Sequence, residues 1–189
     1  SSGSEDTLIP TVIKNAFGGA WYTIFSVQNV GPSATSVDIK FYNTSAANVH
    51  TISQTLQPGA GYFVDTGTVS QLGTTFNGSV VIESNGGTIV SSAMELQKFD
   101  VGARAFEGLG GGQEEFYMPS AMCDFPIAWG VANAFFAIQN TDLNNSTNVT
   151  ITYYKGDGSV AGTETKSVGP GAKTSFGTCA QADPGFIGS

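Results

Sequence analysis

The sequence predicts an all-β chain built as two tandem antiparallel β-sandwiches, and three observations carry that expectation. Apolar and polar residues alternate over short runs, turn-forming residues separate the runs, and the whole arrangement occurs twice. The repeat is clearest at residues 21–42, WYTIFSVQNVGPSATSVDIKFY, which return about 110 residues later as AFFAIQNTDLNNSTNVTITYY over 134–154. Phe25 and Val27 fall on Phe136 and Ile138, Gln28 and Asn29 on Gln139 and Asn140. Val37, Ile39 and Phe41 then match Val149, Ile151 and Tyr153. Further landmarks keep the order: Pro10 with Pro119, Pro58-Gly59-Ala60 with Pro170-Gly171-Ala172, and Phe76, Gly78 and Ser79 with Phe186, Gly188 and Ser189. The offset wanders between 109 and 112, as loop insertions would make it, and Trp21 and Trp129 fall out of register.

Taken in order, the first copy reads as seven strands at 9–14, 22–30, 36–42, 50–56, 60–64, 79–84 and 88–96. Gly18-Gly19, Gly31-Pro32, Asn43-Thr44-Ser45, Pro58-Gly59 and Asn85-Gly86-Gly87 punctuate them. Asn85-Gly86 reads as a hairpin turn, because both residues tolerate positive φ. Residues 69–72 have room for a single helical turn. Seven strands with a turn every 8–12 residues fit an immunoglobulin-like sandwich. The expected organisation is a sandwich over 7–97, a Gly-rich connector over 98–115, and a second sandwich over 116–189. Phe99, Val101, Phe106 and Leu109 of the connector either pack between the domains or extend the first sandwich by a strand.

The second copy reads as incomplete, lacking its last two strands within this chain. Open sheet edges and a half-covered core drive association. Three explanations compete: a segment of a longer tandem array, a subunit completed by a neighbour's strand, or closure with fewer strands. SSGSEDTL at the start resembles GLGGGQEEFY, which spans the end of the connector and reaches Tyr117, and favours the first.

Composition narrows the function. Of 189 residues only 12% are charged, and seven basic against fifteen acidic residues give a net charge of -8. Nucleic acid and anionic membranes need clustered Lys and Arg, so neither is an expected partner. No run approaches the ~20 apolar residues of a membrane span, and no signal peptide opens the chain, so secretion would imply that one has been removed.

The run IPTV, GGAWYTIFSVQNVG, VDIKFYN, LQPGAGYFVDTG, FNGSVVIES resembles the tandem immunoglobulin-like repeats of large secreted and surface-anchored prokaryotic proteins. There a Leu-Pro strand, a Trp-x-Thr to Val-Gln-Asn strand, a Pro-Gly turn and a Gly-Ser strand recur. The resemblance implies an extracellular scaffold and no particular activity. The second copy departs from it at Trp129 and in its cysteines.

Those cysteines, Cys123 and Cys179, align with Lys14 and Gly67 of the first copy. An even count without CxxC spacing, in a secreted-like composition, favours a disulfide over two buried thiols. Five sequons, at Asn43, Asn77, Asn144, Asn145 and Asn148, are candidate glycosylation sites, with ordinary turn asparagines the alternative.

No catalytic set emerges. His50 is the single histidine and its counterpart is Gly162, so a paired nucleophile and base is not indicated. Glu5-Asp6 and Glu114-Glu115 lie in connector-like sequence and read as surface charge. Asp142 with Asn144 and Asn145, and the turn 155–158, have too few oxygens for a calcium loop. Gly110-Gly111-Gly112 reads as linker. Tyr42, Tyr153, Tyr154, Trp21 and Trp129 would form a sugar-stacking platform if exposed together, and core packing if not.

The expectation is an extracellular structural protein and not an enzyme. It would be a subunit or repeat segment of a cell-surface filament or stalk, without cofactor or metal. Its partner would be a second copy joined through edge or donated strands. The alternative is an adhesion or carbohydrate-binding module of a larger secreted protein.

Overall fold

The computed structural model describes residues 3–98 and 102–189. Its regular structure is β throughout, apart from three single turns of 3₁₀ helix.

In the first half, β1 (Asp6–Ala16), β2 (Trp21–Asn29), β3 (Thr35–Asn43), β4 (Asn48–Leu56), β5 (Gly61–Asp65), β6 (Phe76–Ser84), β7 (Ile89–Gln97) and β8 (Ala103–Glu107) form one antiparallel sheet. Its order is β4-β3-β6-β1-β2-β7-β8, with β5 on the edge of β2. Alternation decides which side is buried: Val37, Ile39 and Phe41 of β3 point inward with Phe25 and Val27 of β2. β2 and β3 stand three places apart in the sheet, roughly 14 Å if it were flat. The rings of Phe25 and Phe41 nevertheless lie 6.0 Å apart, so the sheet curls over and closes on one core. Pro10 sits where the β1–β6 register shifts, a bulge that tolerates a residue with no N–H.

The second half holds β9 (Ala121–Cys123), β10 (Phe125–Ile127), β11 (Gly130–Ala132), β12 (Phe135–Gln139), β13 (Thr147–Tyr154), β14 (Val160–Val168), β15 (Lys173–Gly177) and β16 (Phe186–Gly188). They pair as β10-β11, β12-β15, β13-β14 and β16-β9. Three of these ladders, β12-β15, β13-β14 and β16-β9, repeat the first half residue by residue, while the β10–β11 hairpin stands where the first half has only a turn between β1 and β2. Phe25 faces Val64 as Phe136 faces Phe176, and Phe41 faces His50 as Tyr153 faces Gly162. Lys14 faces Phe76 as Cys123 faces Phe186. The irregularity between Phe41 and Tyr42 returns between Tyr153 and Tyr154.

Three features differ from the sequence reading. Within 98–115, Ala103–Glu107 is not connector but the strand extension that was the alternative reading: it forms β8, which pairs with β7 and packs Phe106 against the core, while Phe99 and Val101 lie outside the described residues. Asn85-Gly86 does not close a hairpin, because β6 pairs with β1 and β3 while β7 pairs with β2 and β8. Gly86 has φ 76°, and the turn carries the chain across the core, anchored by Asn85 N–H to Ser36 O. Asp6 belongs to β1, opposite Glu83, and not to a loose leader.

Candidate functional site

Two features of the second half stand out: how it meets the first, and what it leaves open. At the meeting face β1 packs against β12. Ser79, fully buried, donates from Oγ to Gly171 O (2.7 Å). Gln139 Nε2 donates to Val80 O (3.3 Å), beside the bulge where Pro10 interrupts the ladder, and to Gly171 O (3.0 Å). Lys173, directly across the ladder from Gln139, donates from Nζ to Thr11 Oγ1 (3.3 Å). Thr11 in turn donates to Glu95 Oε1 (2.8 Å). Burial lowers the Lys173 ammonium to about 8, against the opposing pull of Glu95. Alternation predicts these side chains to face solvent, as Gln28 does at the matching place in β2, so only the tertiary contact identifies them.

The open feature is β12. In the first half β2 is paired on both edges, with β5 on one and β7 on the other. β12 has β15 in the place of β5, and no strand among the described residues pairs with its second edge. Phe25, Val27, Val37 and Ile39 are buried, whereas their counterparts Phe136, Ile138, Val149 and Ile151 are only half-buried. Phe135, at the end of this edge, is 72% exposed. Beside it the β10–β11 hairpin projects Ile127, Val131 and, at its tip, Trp129, which is 88% exposed. Residues 125–141 carry no charge at all.

The remaining candidates resolve locally. Cys123 and Cys179 form a disulfide, so the thiol pair that lies with Asp124 within metal-binding distance offers no thiolates. Asn43 Oδ1 caps its own turn, accepting from Ser45 and Ala47 N–H, while Asn77, Asn144, Asn145 and Asn148 are exposed. The Asp142 carboxylate accepts from the N–H groups of Asn144 and Asn145 and from Asn145 Nδ2, which holds it below the usual carboxylate range. Asp157 is held down likewise by the hydroxyl and N–H of Ser159. Both are turn chemistry.

His50 stacks on Phe41, centroids 6.0 Å apart. Glu115 accepts from the Tyr117 hydroxyl, Glu114 is exposed, and Asp6, partly buried beside Glu83, has its carboxyl raised. The proposed aromatic platform does not assemble as one set: Tyr153 is buried and Trp21 lies under Arg104 at 5.0 Å. Among the described residues, no helix is long and apolar enough to cross a membrane.

No protein-family model matches the chain, and no curated protein matches its sequence. Among solved structures it is similar to the crystal structure of Thermotoga maritima 1070, at 15% identity over 58% of this chain and 96% of that one. The TM-score of 0.46 is too low for that likeness to carry an argument.

Proposed function

We propose that the chain is a structural segment of an extracellular filament or stalk, built from two tandem immunoglobulin-like sandwiches. The observation that carries this reading is the repeated strand register combined with a fixed junction. Ser79–Gly171, Gln139–Val80 and Lys173–Thr11 are hydrogen bonds between the halves, made by buried or half-buried groups. Such contacts favour a rigid spacer over two freely swinging modules. The disulfide supports an oxidising compartment. Exposed sequons at Asn77, Asn144, Asn145 and Asn148 are compatible with a glycosylated surface. The role is mechanical and not catalytic.

A second reading, an adhesion or carbohydrate-binding module, is favoured by the exposed aromatics Trp129, Tyr117 and Phe116. Intact mass and assembly state of native material, measured reduced and denatured, separate the two. Recovery from a polymer, or from one much larger polypeptide of repeated units, supports the structural segment. A small soluble monomer that binds glycans would overturn it.

A further inference from the structure

We infer that the outer edge of β4 is a self-association surface, which pairs antiparallel with β4 of a second copy of this chain. The inference goes beyond the structural role and rests on the first half alone.

β4 ends the first-half sheet. It pairs with β3 on one side, and no strand among the described residues pairs with its other side. Such an edge offers a row of N–H and C=O groups, which proteins ordinarily guard with short length or charge. Three other edge strands follow that rule. β8 carries Arg104 and Glu107, and β5 is five residues long and ends at Asp65. In β14, the counterpart of β4, Glu164 and Lys166 form an ion pair where β4 has Ile52 and Gln54. β4 has no such guard: it is nine residues long, and 41–64 contain no Asp, Glu, Lys or Arg.

The strand also identifies its guest. Against a second β4, centred on Ile52, Ile52 meets its own copy, Thr51 meets Ser53, His50 meets Gln54 and Val49 meets Thr55. Val49, Thr51, Ser53 and Thr55 form the exposed row, and all are small or β-branched, which suits cross-strand pairing. The neighbouring strand adds charge complementarity. Lys40 lies across from Thr51, and Asp38 across from Ser53. Each row of the joined sheet therefore runs from Lys40 of one copy, through Thr51 and Ser53, to Asp38 of the other. Centring the pair on Thr51 or Ser53 instead would align Lys40 or Asp38 with its own copy. Across three strand spacings, roughly 14 Å, these charges set the register and add little affinity.

The test follows the 189-residue chain by analytical ultracentrifugation up to about 1 mM, with amide exchange at low and high concentration. The expected result is a dimer whose formation adds exchange protection confined to residues 48–56. Two double variants change only exposed side chains: Thr51→Asp with Ser53→Asp, and Thr51→Lys with Ser53→Lys. Each sets like charges directly opposite across the contact and should weaken the dimer at least tenfold. An equimolar mixture of the two should restore it as a heterodimer. A chain that stays monomeric, a dimer without β4 protection, or undiminished dimerisation of both variants would overturn the inference. So would a mixture that associates no better than either variant alone. The filament reading is judged separately by the assembly state of native material: a polymer with an unprotected β4 edge keeps that reading and sinks this one.

Discussion

Asn29 and Asn140 perform the same task in the two halves. Each uses its side-chain amide to tie a strand end to two loops. Asn29 Nδ2 donates to Ser33 O and Leu56 O, and Asn140 Nδ2 to Asn145 O and Val168 O. Each Oδ1 accepts from the N–H two residues on, Gly31 and Asp142. Each backbone N–H reaches the turn after the following hairpin, at Ala60 O and Ala172 O. Asn29→Ala orphans several buried groups and should cost about 3 kcal/mol, read as a shift of the urea midpoint. Asn140→Ala should cost less, because water reaches the open second half.

Gly78→Ala should be worse than its size suggests. A Cβ there would lie 2.1 Å from Tyr42 O and 2.6 Å from the Phe76 ring, and neither a paired backbone nor a buried ring can step aside. A loss of about 2–3 kcal/mol is expected. The matching Gly188 meets Tyr154 O at 2.0 Å, so Gly188→Ala should break the bridge between Lys155 and Gly188 and raise amide exchange there.

Lys173 gives the junction a pH signature. Its ammonium is lowered from the ordinary 10.5 to about 8 by burial. Between those values the unfolded chain holds a proton that the folded chain has released. Stability should therefore rise as pH increases from about 8 to 10.5 and gain nothing from this group below 8, with a total of at most about 3 kcal/mol. Urea titrations at several pH values should show the rise in the native chain and lose it in Lys173→Met.

Reducing the Cys123–Cys179 bond should weaken the second half selectively. The bond spans 56 residues, worth about 4 kcal/mol through the unfolded chain. Amide exchange should accelerate in β9 and β16 on reduction while β1–β7 stay protected.

The first-half strands were legible because their alternation is clean: Val37, Ile39 and Phe41, or Phe25 and Val27, admit one buried face. The duplication was legible for the same reason, and the ladders repeat at the residues that the alignment matched. β8 was legible only as an alternative, because the glycines around it read as linker while Phe106 marks an inward side. The β10–β11 hairpin was hidden because Pro126 interrupts the strand pattern and Ala128-Trp129 is no turn signature. At Asn85-Gly86 the local chemistry correctly indicates a turn but is silent on whether the flanking strands pair. The junction had no sequence signal beyond a lysine where the first copy has Gly61. Its partners lie far away in the chain, and only the folded sheet brings Thr11 and Glu95 to Lys173 and Ser79 to Gly171.

The disulfide occupies a place that the first half secures differently. Lys14, the counterpart of Cys123, donates from Nζ to Val69 O at 2.8 Å, two residues past the counterpart of Cys179. One hub thus ties β1 to the loop after β5 with a hydrogen bond, and the other ties the same two elements with a covalent bond. Under tension applied at its ends, the first half can unravel completely. The second must withhold the 56-residue span between its cysteines, on the order of 200 Å of extended chain. Pulled, the molecule would behave as a spring in series with a leash, and a reductant would turn the leash into a second spring.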